Sequence, residues 1–379
     1  MLQPGEWYRA GEVVAVFVPR FSDDTPRIQA ALEEVERLRF RIEKMLIMPR
    51  HEEWLRREAF VRTAYSSTMV EDAAIPEQEM EDVAKGAPVT PIPRERVEVA
   101  NYARALEFVD FLSDQGFAAD EAAIRMIHWL LMSGLRDTHL KPGEYRAGPN
   151  WIEDQGVIVY EPPFHVEVPI LMRELAVWLR DRDDVNAVLK AGIAHAHLVA
   201  IHPFVDGNGR TGRLLATLLL QGQGYGFRKL LSLDSHYQRN KDSYIQALRQ
   251  SLGPRYTQDY DFTPWLEFFV TSLAVQAMLL ENKLTDWRMM VDKLHRDLAP
   301  AGLSERQTDG LVYAARMGHI TRKDYMEITG VSPVTAARDL RSLVEKNLLV
   351  PRGAGRNRSY AYSTEANTQS DQPSQRSLL

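Results

Sequence analysis

The chain has 379 residues, 45% of them hydrophobic, which is enough for two or three domains with a sizeable buried core. Its formal charge of −6 gives no global pull toward nucleic acid, and the absence of cysteine excludes disulfides and thiolate metal sites, in keeping with a reducing cytosol.

The opening Met-Leu-Gln-Pro-Gly-Glu-Trp has neither a basic run nor an apolar run, so no signal peptide and a cytoplasmic location are expected. A β-like run at 13–18 precedes helices predicted at 28–48 and 52–71, separated by Pro49. Residues 83–94 are proline-rich and read as a linker. Amphipathic helices follow at 96–112 and 120–135, the second N-capped by Asp120. Two short strands around a polar turn at 153–156 make a hairpin over 151–160. Residues 188–201 and 214–220 are almost wholly apolar or small and read as buried helices. The apolar stretch 268–280 is interrupted by Thr271, Ser272 and Gln276 and falls short of a membrane span, and 284–298 is expected as one more amphipathic helix. The class is mainly α.

From Ser304 the pattern becomes helix, tight turn, helix, with Ser332 as N-cap and Pro333 at the first helical position. A glycine-rich basic stretch at 350–358 and a strand-like 359–362 follow, so this part resembles a winged helix-turn-helix domain. Between 330 and 362 six basic residues face two acidic ones, a local +4 that suits a phosphate backbone. Thr335, Arg338 and Arg341 on the second helix are the candidate DNA readers, although winged helices also serve as protein-contact modules. The tail at 363–379 is rich in Ser, Gln and Asn and is expected to be disordered.

The most informative residues lie between the two apolar helices: His202-Pro203-Phe204-Val205-Asp206-Gly207-Asn208-Gly209-Arg210-Thr211-Gly212-Arg213. Gly207 and Gly209 allow backbone N–H groups to converge, and a helix starting near Arg210 adds its own unsatisfied donors, so the loop is suited to phosphate. Arg210 and Arg213 are three apart, one turn of helix, and both present planar forks matched to phosphate oxygens. No lysine is present, which excludes a Walker loop. Asp206 is a hard oxygen ligand of the kind that holds magnesium beside phosphates, and His202 is the group to take a proton from an attacking hydroxyl. Phe204 is an apolar anchor. His195 and His197 fall on different faces of a helix and read as packing residues, not zinc ligands.

These twelve residues resemble the signature of the Fic family, His-Pro-Phe-x-Asp-Gly-Asn-Gly-Arg-x-x-Arg, with every defined position met. The resemblance implies a helical core with a β-hairpin flap that moves AMP from ATP onto a target-protein hydroxyl, releases pyrophosphate and requires magnesium. His202 would be the general base, Asp206 the magnesium ligand, Gly207, Asn208 and Gly209 the anion cradle, and Arg210 and Arg213 the clamps, with Thr211 and Gly212 in the same phosphate-binding turn. Residues 142–146 and the hairpin are similar to the family's flap, whose edge pairs with the target backbone. Residues 233–248 resemble the segment that closes over adenosine, with Tyr237, Asn240 and Tyr244 as candidates; the family's paired tyrosines are Tyr244-Ile245 here. Finally, Ser67-x-x-x-Glu71 resembles the family's inhibitory motif, in which Glu71 would pair with Arg213 and leave ATP unproductively bound. The Gly or Asn that follows in that motif is Asp72 in this chain.

The expected organisation is an N-terminal helical region with the inhibitory helix (1–95), a catalytic core (96–282), a connecting helix (283–303), the winged helix (304–362) and the tail. The expected activity is autoinhibited protein adenylylation, with removal of AMP, transfer of another phosphate-containing group, or nucleotide sensing by a DNA-binding regulator as alternatives. Expected partners are ATP with Mg2+ and a protein bearing a Ser, Thr or Tyr hydroxyl, the chain itself included. DNA and a second copy of the chain are further candidates, and no membrane is expected.

Overall fold

The computed structural model describes residues 6–9, 12–15, 17–47, 49–71, 94–135, 137, 139–298, 301–353, 355 and 358–363. Asp72, Arg356, the linker up to residue 93 and the tail beyond residue 363 lie outside the described residues. The chain divides into two compact units, one of Met1–Met45 with Leu55–Glu281 and one of Leu46–Trp54 with Asn282–Leu379.

In the first unit, β1 (Glu6–Arg9) pairs antiparallel with β2 (Glu12–Ala15), ahead of α1 (Pro26–Lys44) and α2 (Pro49–Val70). Helix α1 starts earlier than periodicity suggests because Thr25 caps it, accepting the Ile28 N–H at 3.2 Å, with Pro26 at the first helical position. Next come α3 (Arg94–Asp114) and α4 (Glu121–Met132), the latter capped as expected by Asp120. The buried Asn101 of α3 donates to the carbonyls of Leu131 and Ser133, both at 2.8 Å, which satisfies the end of α4 and ties the helices together.

The centre is α5 (Val168–Asp181), α6 (Ala187–Ile201) and α7 (Asn208–Gly222), with α6 packed on α5 and α7, and α3 on α4 and α7. Every residue from Val188 to Ile201 is buried, so α6 is apolar all round, as a helix enclosed by others must be. Gly212 sets the approach of α6 and α7, because a Cβ there would lie 2.9 Å from His195 Cδ2. Ala64, Val99, Tyr102, Leu106, Ile127, Leu214 and Leu218 join four helices in one apolar cluster, each large side chain contributing about 1.5–3 kcal/mol by its burial.

The predicted hairpin is present as β3 (Ile152–Asp154) and β4 (Val157–Tyr160), antiparallel. Asp154 faces Val157, so the turn is only Gln155-Gly156, both at positive φ (50° and 81°), the twist-matched two-residue turn. At its base the buried Tyr160 hydroxyl donates to the Ala200 carbonyl at 2.9 Å, which fastens the hairpin to α6.

Beyond α8 (Leu233–Arg239) and α9 (Lys241–Leu252), α10 runs unbroken over Thr263–Leu298. A separate helix at 284–298 was expected; after Pro264 the segment contains no glycine or proline to interrupt it. Contrary to the sequence reading, α10 is long and apolar enough to cross a membrane, but Trp265, Leu266, Phe269, Val270, Leu273 and Ala277 are buried in the protein core.

The second unit contains α11 (Glu305–Met317), β5 (Ile320–Thr321), α12 (Arg322–Thr329), α13 (Pro333–Glu345), β6 (Leu349–Arg352) and β7 (Ser359–Tyr362), with antiparallel sheet order β5-β7-β6. Ser332 caps α13 by accepting the Thr335 N–H, and Gly330 at φ 65° ends α12, which makes the turn between them. Leu311, Ile320, Tyr325, Ala336, Leu340, Leu343 and Leu349 form its core. The buried Asp339 accepts from Arg306 Nε at 2.6 Å and from the Tyr325 hydroxyl at 3.2 Å.

Candidate active site

The loop between α6 and α7 gathers the candidate residues. Helix α6 ends on His202 in the left-handed region (φ 49°, ψ 58°), unusual for a non-glycine residue and strained by about 1–3 kcal/mol. Several contacts hold this conformation. The buried Arg146 donates from Nε to the His202 carbonyl at 2.8 Å, from Nη1 to Gly148 at 3.1 Å and from Nη2 to Pro163 at 2.5 Å, while its backbone N–H reaches the Pro203 carbonyl at 2.9 Å. Arg146 therefore joins both flanks of the hairpin to the loop. Asn208 folds its amide back onto Phe204, accepting the Phe204 N–H at 2.9 Å and donating to its carbonyl at 3.0 Å.

Phe204 is fully buried and stacks on His128 with ring centroids 3.7 Å apart. His128 Nδ1 accepts the Gly143 N–H at 2.9 Å, so Nε2 carries the proton and donates to the Asp206 carbonyl at 3.0 Å. Burial lowers the His128 pKa to about 4 and keeps it neutral.

His202 is half-buried, and its Nδ1 lies 3.3 Å from the Val199 carbonyl. A carbonyl only accepts, so Nδ1 is the protonated nitrogen and Nε2 keeps its lone pair. Burial, reinforced by the nearby Arg146 charge, lowers the His202 pKa to about 4. Asp206 is half-exposed; Oδ1 accepts the Gly207 N–H at 2.5 Å and faces Arg210 Nη2 at 3.4 Å, while Oδ2 accepts from Arg94 Nη2 at 3.1 Å.

Gly207, at φ 77°, turns the chain into α7, whose first turn receives no side-chain cap from it and leaves N–H groups without intrahelical partners. Arg210 is buried, and its Nε and Nη1 make no hydrogen bond among the described residues; Nη1 lies 3.4 Å from Glu98 Oε2. Arg213 is more fully engaged. Its Nε donates to Ser67 Oγ at 2.9 Å and lies 3.1 Å from Asp234 Oδ1, and its Nη2 donates to the Ser67 carbonyl at 2.9 Å and to Glu71 Oε1 at 3.0 Å. Burial works against the Arg213 charge, but Glu71 and Asp234 more than offset it and raise its pKa above the ordinary arginine value. Arg213 Nη1 makes no hydrogen bond among the described residues. Buried guanidinium donors without partners are costly unless an anion meets them, so Arg210 and Arg213 both fit a phosphate ligand.

Glu71 stands at the mouth of this cradle. Its Oε1 lies 2.5 Å from where a Cβ on Gly209 would be, so a carboxylate already sits over the N-terminus of α7. The pairing of Glu71 with Arg213 matches the geometry expected from Ser67-x-x-x-Glu71.

Thr211 is buried with its hydroxyl bonded to the Gly207 carbonyl at 2.8 Å, within the first turn of α7, and Gly212 faces His195 in the α6–α7 contact. Tyr237 and Tyr244 are 1% and 4% exposed, their rings 4.8 Å apart, with the Tyr244 hydroxyl 3.0 Å from His195 Nε2. Rings enclosed in this way have no open face to stack on adenine. Asn240 is exposed, and its amide donates to the His236 carbonyl at 2.9 Å, closing α8. His195 is buried among aromatic rings, and His197 stacks on Phe17 at 3.6 Å. In the second unit Arg338 and Arg341 are exposed on α13, whereas Thr335 is half-buried with its hydroxyl 3.1 Å from that of Ser332.

Asp234, Glu98, Arg94, Arg146 and His128 were not singled out from sequence. Only Arg94 and Glu98 carried a local signal, opposite charges four apart at a helix start.

Residues 118–220 match the Fic/DOC family. A probable protein adenylyltransferase of Aquifex aeolicus is 33% identical over 153 residues, 40% of this chain and 44% of that protein. The protein adenylyltransferase Fic of Drosophila virilis is 39% identical over 92 residues, 23% of this chain and 18% of that protein. The chain thus spans less than half the length of these curated relatives. The crystal structure of a Fic family protein from Desulfovibrio desulfuricans G20 superposes with a TM-score of 0.61 at 25% identity, covering 92% of this chain and 99% of that one. The chain therefore carries a Fic/DOC family domain over residues 118–220, with the loop at 202–213 inside it.

Proposed function

We propose that this protein transfers AMP from ATP to a Ser, Thr or Tyr hydroxyl of a target protein, and that Glu71 restrains the transfer. The observation that carries the reading is the convergence on one loop of a neutral histidine with a free Nε2, the N-terminus of α7, and two buried arginines with unspent donors. His202 Nε2 takes the proton of the incoming hydroxyl as its oxygen bonds to the α-phosphorus; the bond from that phosphorus to the bridging oxygen breaks, and pyrophosphate leaves. Arg210 and Arg213 orient the phosphates, and the α7 N-terminus stabilises the charge that develops.

Asp206 suits a magnesium ion: it is a single hard carboxylate beside a phosphate cradle, half-exposed, with Oδ1 fixed by the Gly207 N–H. When bound, magnesium would neutralise phosphate charge and aid departure of pyrophosphate. Asp206 is the residue that would hold it.

Glu71 lies where an anion at Gly209 and Arg213 would lie, which supports its reading as an internal competitor for the terminal phosphate. The edge of β4, with Val157 and Ile158 exposed, suits pairing with an extended target segment.

Incubation of the Glu71→Gly variant with Mg2+ and ATP labelled at either the α- or the γ-phosphate tests the activity. Label on protein from the α position and none from the γ position is expected. Protein labelled from the γ position alone, or no label while ATP binds, would overturn the reading.

The helices and three-stranded sheet of the second unit support a winged-helix reading, with α13 as the DNA-contacting helix. Arg338→Ala is expected to weaken binding to a duplex at low salt and to lower the slope of affinity against salt by about one charge. An unchanged slope would leave this unit a protein-contact module.

A further inference from the structure

The first turn of α3 reaches the loop through two charged residues that the reaction above does not use. Arg94 Nε donates to Glu98 Oε1 at 2.7 Å, and Arg94 Nη2 donates to Asp206 Oδ2 at 3.1 Å. Glu98 Oε2 faces Arg210 Nη1 at 3.4 Å, and Arg210 Nη2 faces Asp206 Oδ1 at 3.4 Å. The four side chains close a ring in which cations and carboxylates alternate. Its members differ sharply in exposure: Glu98 and Arg210 side chains are 6% and 3% exposed, Arg94 and Asp206 51% and 38%. One half of the ring is fixed in the core, and the other half is exchangeable with solvent.

We propose that Arg94 is a further residue of this site, an internal cation that holds Asp206 until a divalent ion takes its place, and so sets the ion concentration at which the site loads. The proposal rests on the reading of Asp206 as the ion's ligand. Asp206 Oδ1 is already occupied by the Gly207 N–H and approached by Arg210, so Oδ2 is the oxygen with room for a ligand, and Arg94 covers it. A guanidinium and a divalent ion cannot share that oxygen without close like-charge repulsion. Arg94 can withdraw Nη2 and keep its Nε bond to Glu98, so no buried carboxylate loses its partner in the exchange. Because the Arg94–Asp206 pair is largely exposed, the competition is modest, about two- to fivefold in apparent ion affinity.

The test is direct titration with Mn2+, read from the electron paramagnetic resonance signal of the free ion, on the full chain saturated with a non-hydrolysable ATP analogue. Arg94→Gln is expected to tighten Mn2+ binding about two- to fivefold, Arg94→Glu at least as much, and Asp206→Asn to weaken it more than tenfold. Thermal unfolding midpoints of the three variants confirm that each is folded. Loss of Mn2+ binding in Asp206→Asn together with unchanged or weaker binding in both Arg94 variants would overturn the role of Arg94 alone. Wild-type Mn2+ affinity in Asp206→Asn would overturn the ligand reading, and the role of Arg94 with it.

Discussion

His202→Ala is expected to lower AMP transfer by about 10²- to 10⁴-fold while nucleotide affinity stays near that of the unsubstituted protein. The asymmetry follows from the site: the imidazole offers a lone pair at Nε2 but takes no part in the cradle, which is made by the α7 N-terminus and the two arginines. Nucleotide affinity by calorimetry and transfer rate by labelling separate the two effects, and a variant transferring at full rate would remove His202 from the role of base. The pH profile is a second check. The base works in its neutral form, and burial with the Arg146 charge places its pKa at about 4. The rate under kcat/KM conditions should therefore be level from neutrality down to about pH 5 and decline as pH falls through 4. A decline centred near 6.5, the ordinary histidine value, would mean that burial does not depress the pKa of this imidazole in the working protein.

Glu71→Gly is expected to raise the transfer rate by about 5- to 150-fold, the range of a coupling of one to three kcal/mol. Glu71 contributes one hydrogen bond to Arg213 and places its carboxylate over Gly209 at the N-terminus of α7. Its loss removes that negative charge from the cradle, while Ser67 and Asp234 continue to hold Arg213. The variant should thus gain activity without losing a clamp, measured as initial rates of α-phosphate labelling at saturating ATP. A rate equal to or below that of the unsubstituted protein would take Glu71 out of the inhibitory role.

The loop side of the candidate site was legible in sequence because twelve consecutive residues make it. Local spacing then carries the geometry: two arginines one helical turn apart, and a glycine where the chain must turn into α7. What came from distant elements was not legible. Asp234 reaches Arg213 from α8 and Arg146 reaches the His202 carbonyl across the base of the hairpin, and nothing in their own neighbourhoods marks either. Arg94 was assigned to a linker because prolines crowd the residues before it, although α3 begins on it. Tyr237 and Tyr244, seven residues apart, belong to two helices, α8 and α9, with Asn240 breaking the chain between them, and both rings turn inward onto His195, Trp265 and Phe268. Periodicity fixes which residues lie together on a helix and not what they lie against. A separate helix at 284–298 was expected where α10 simply continues, since no glycine or proline after Pro264 forces a break.

The double hold on Arg213 carries a consequence for how such a protein responds. Asp234 and Ser67 fix the guanidinium from below, so its side-chain entropy is lost when the chain folds and not when nucleotide arrives. On the reading proposed above, restrained and competent forms need differ only in where the Glu71 carboxylate, 37% exposed, rests. Such a device needs no repacking of the helical core to change state. On that reading, displacement of Glu71 alone is enough to change the state, because Arg213 stays held by Ser67 and Asp234.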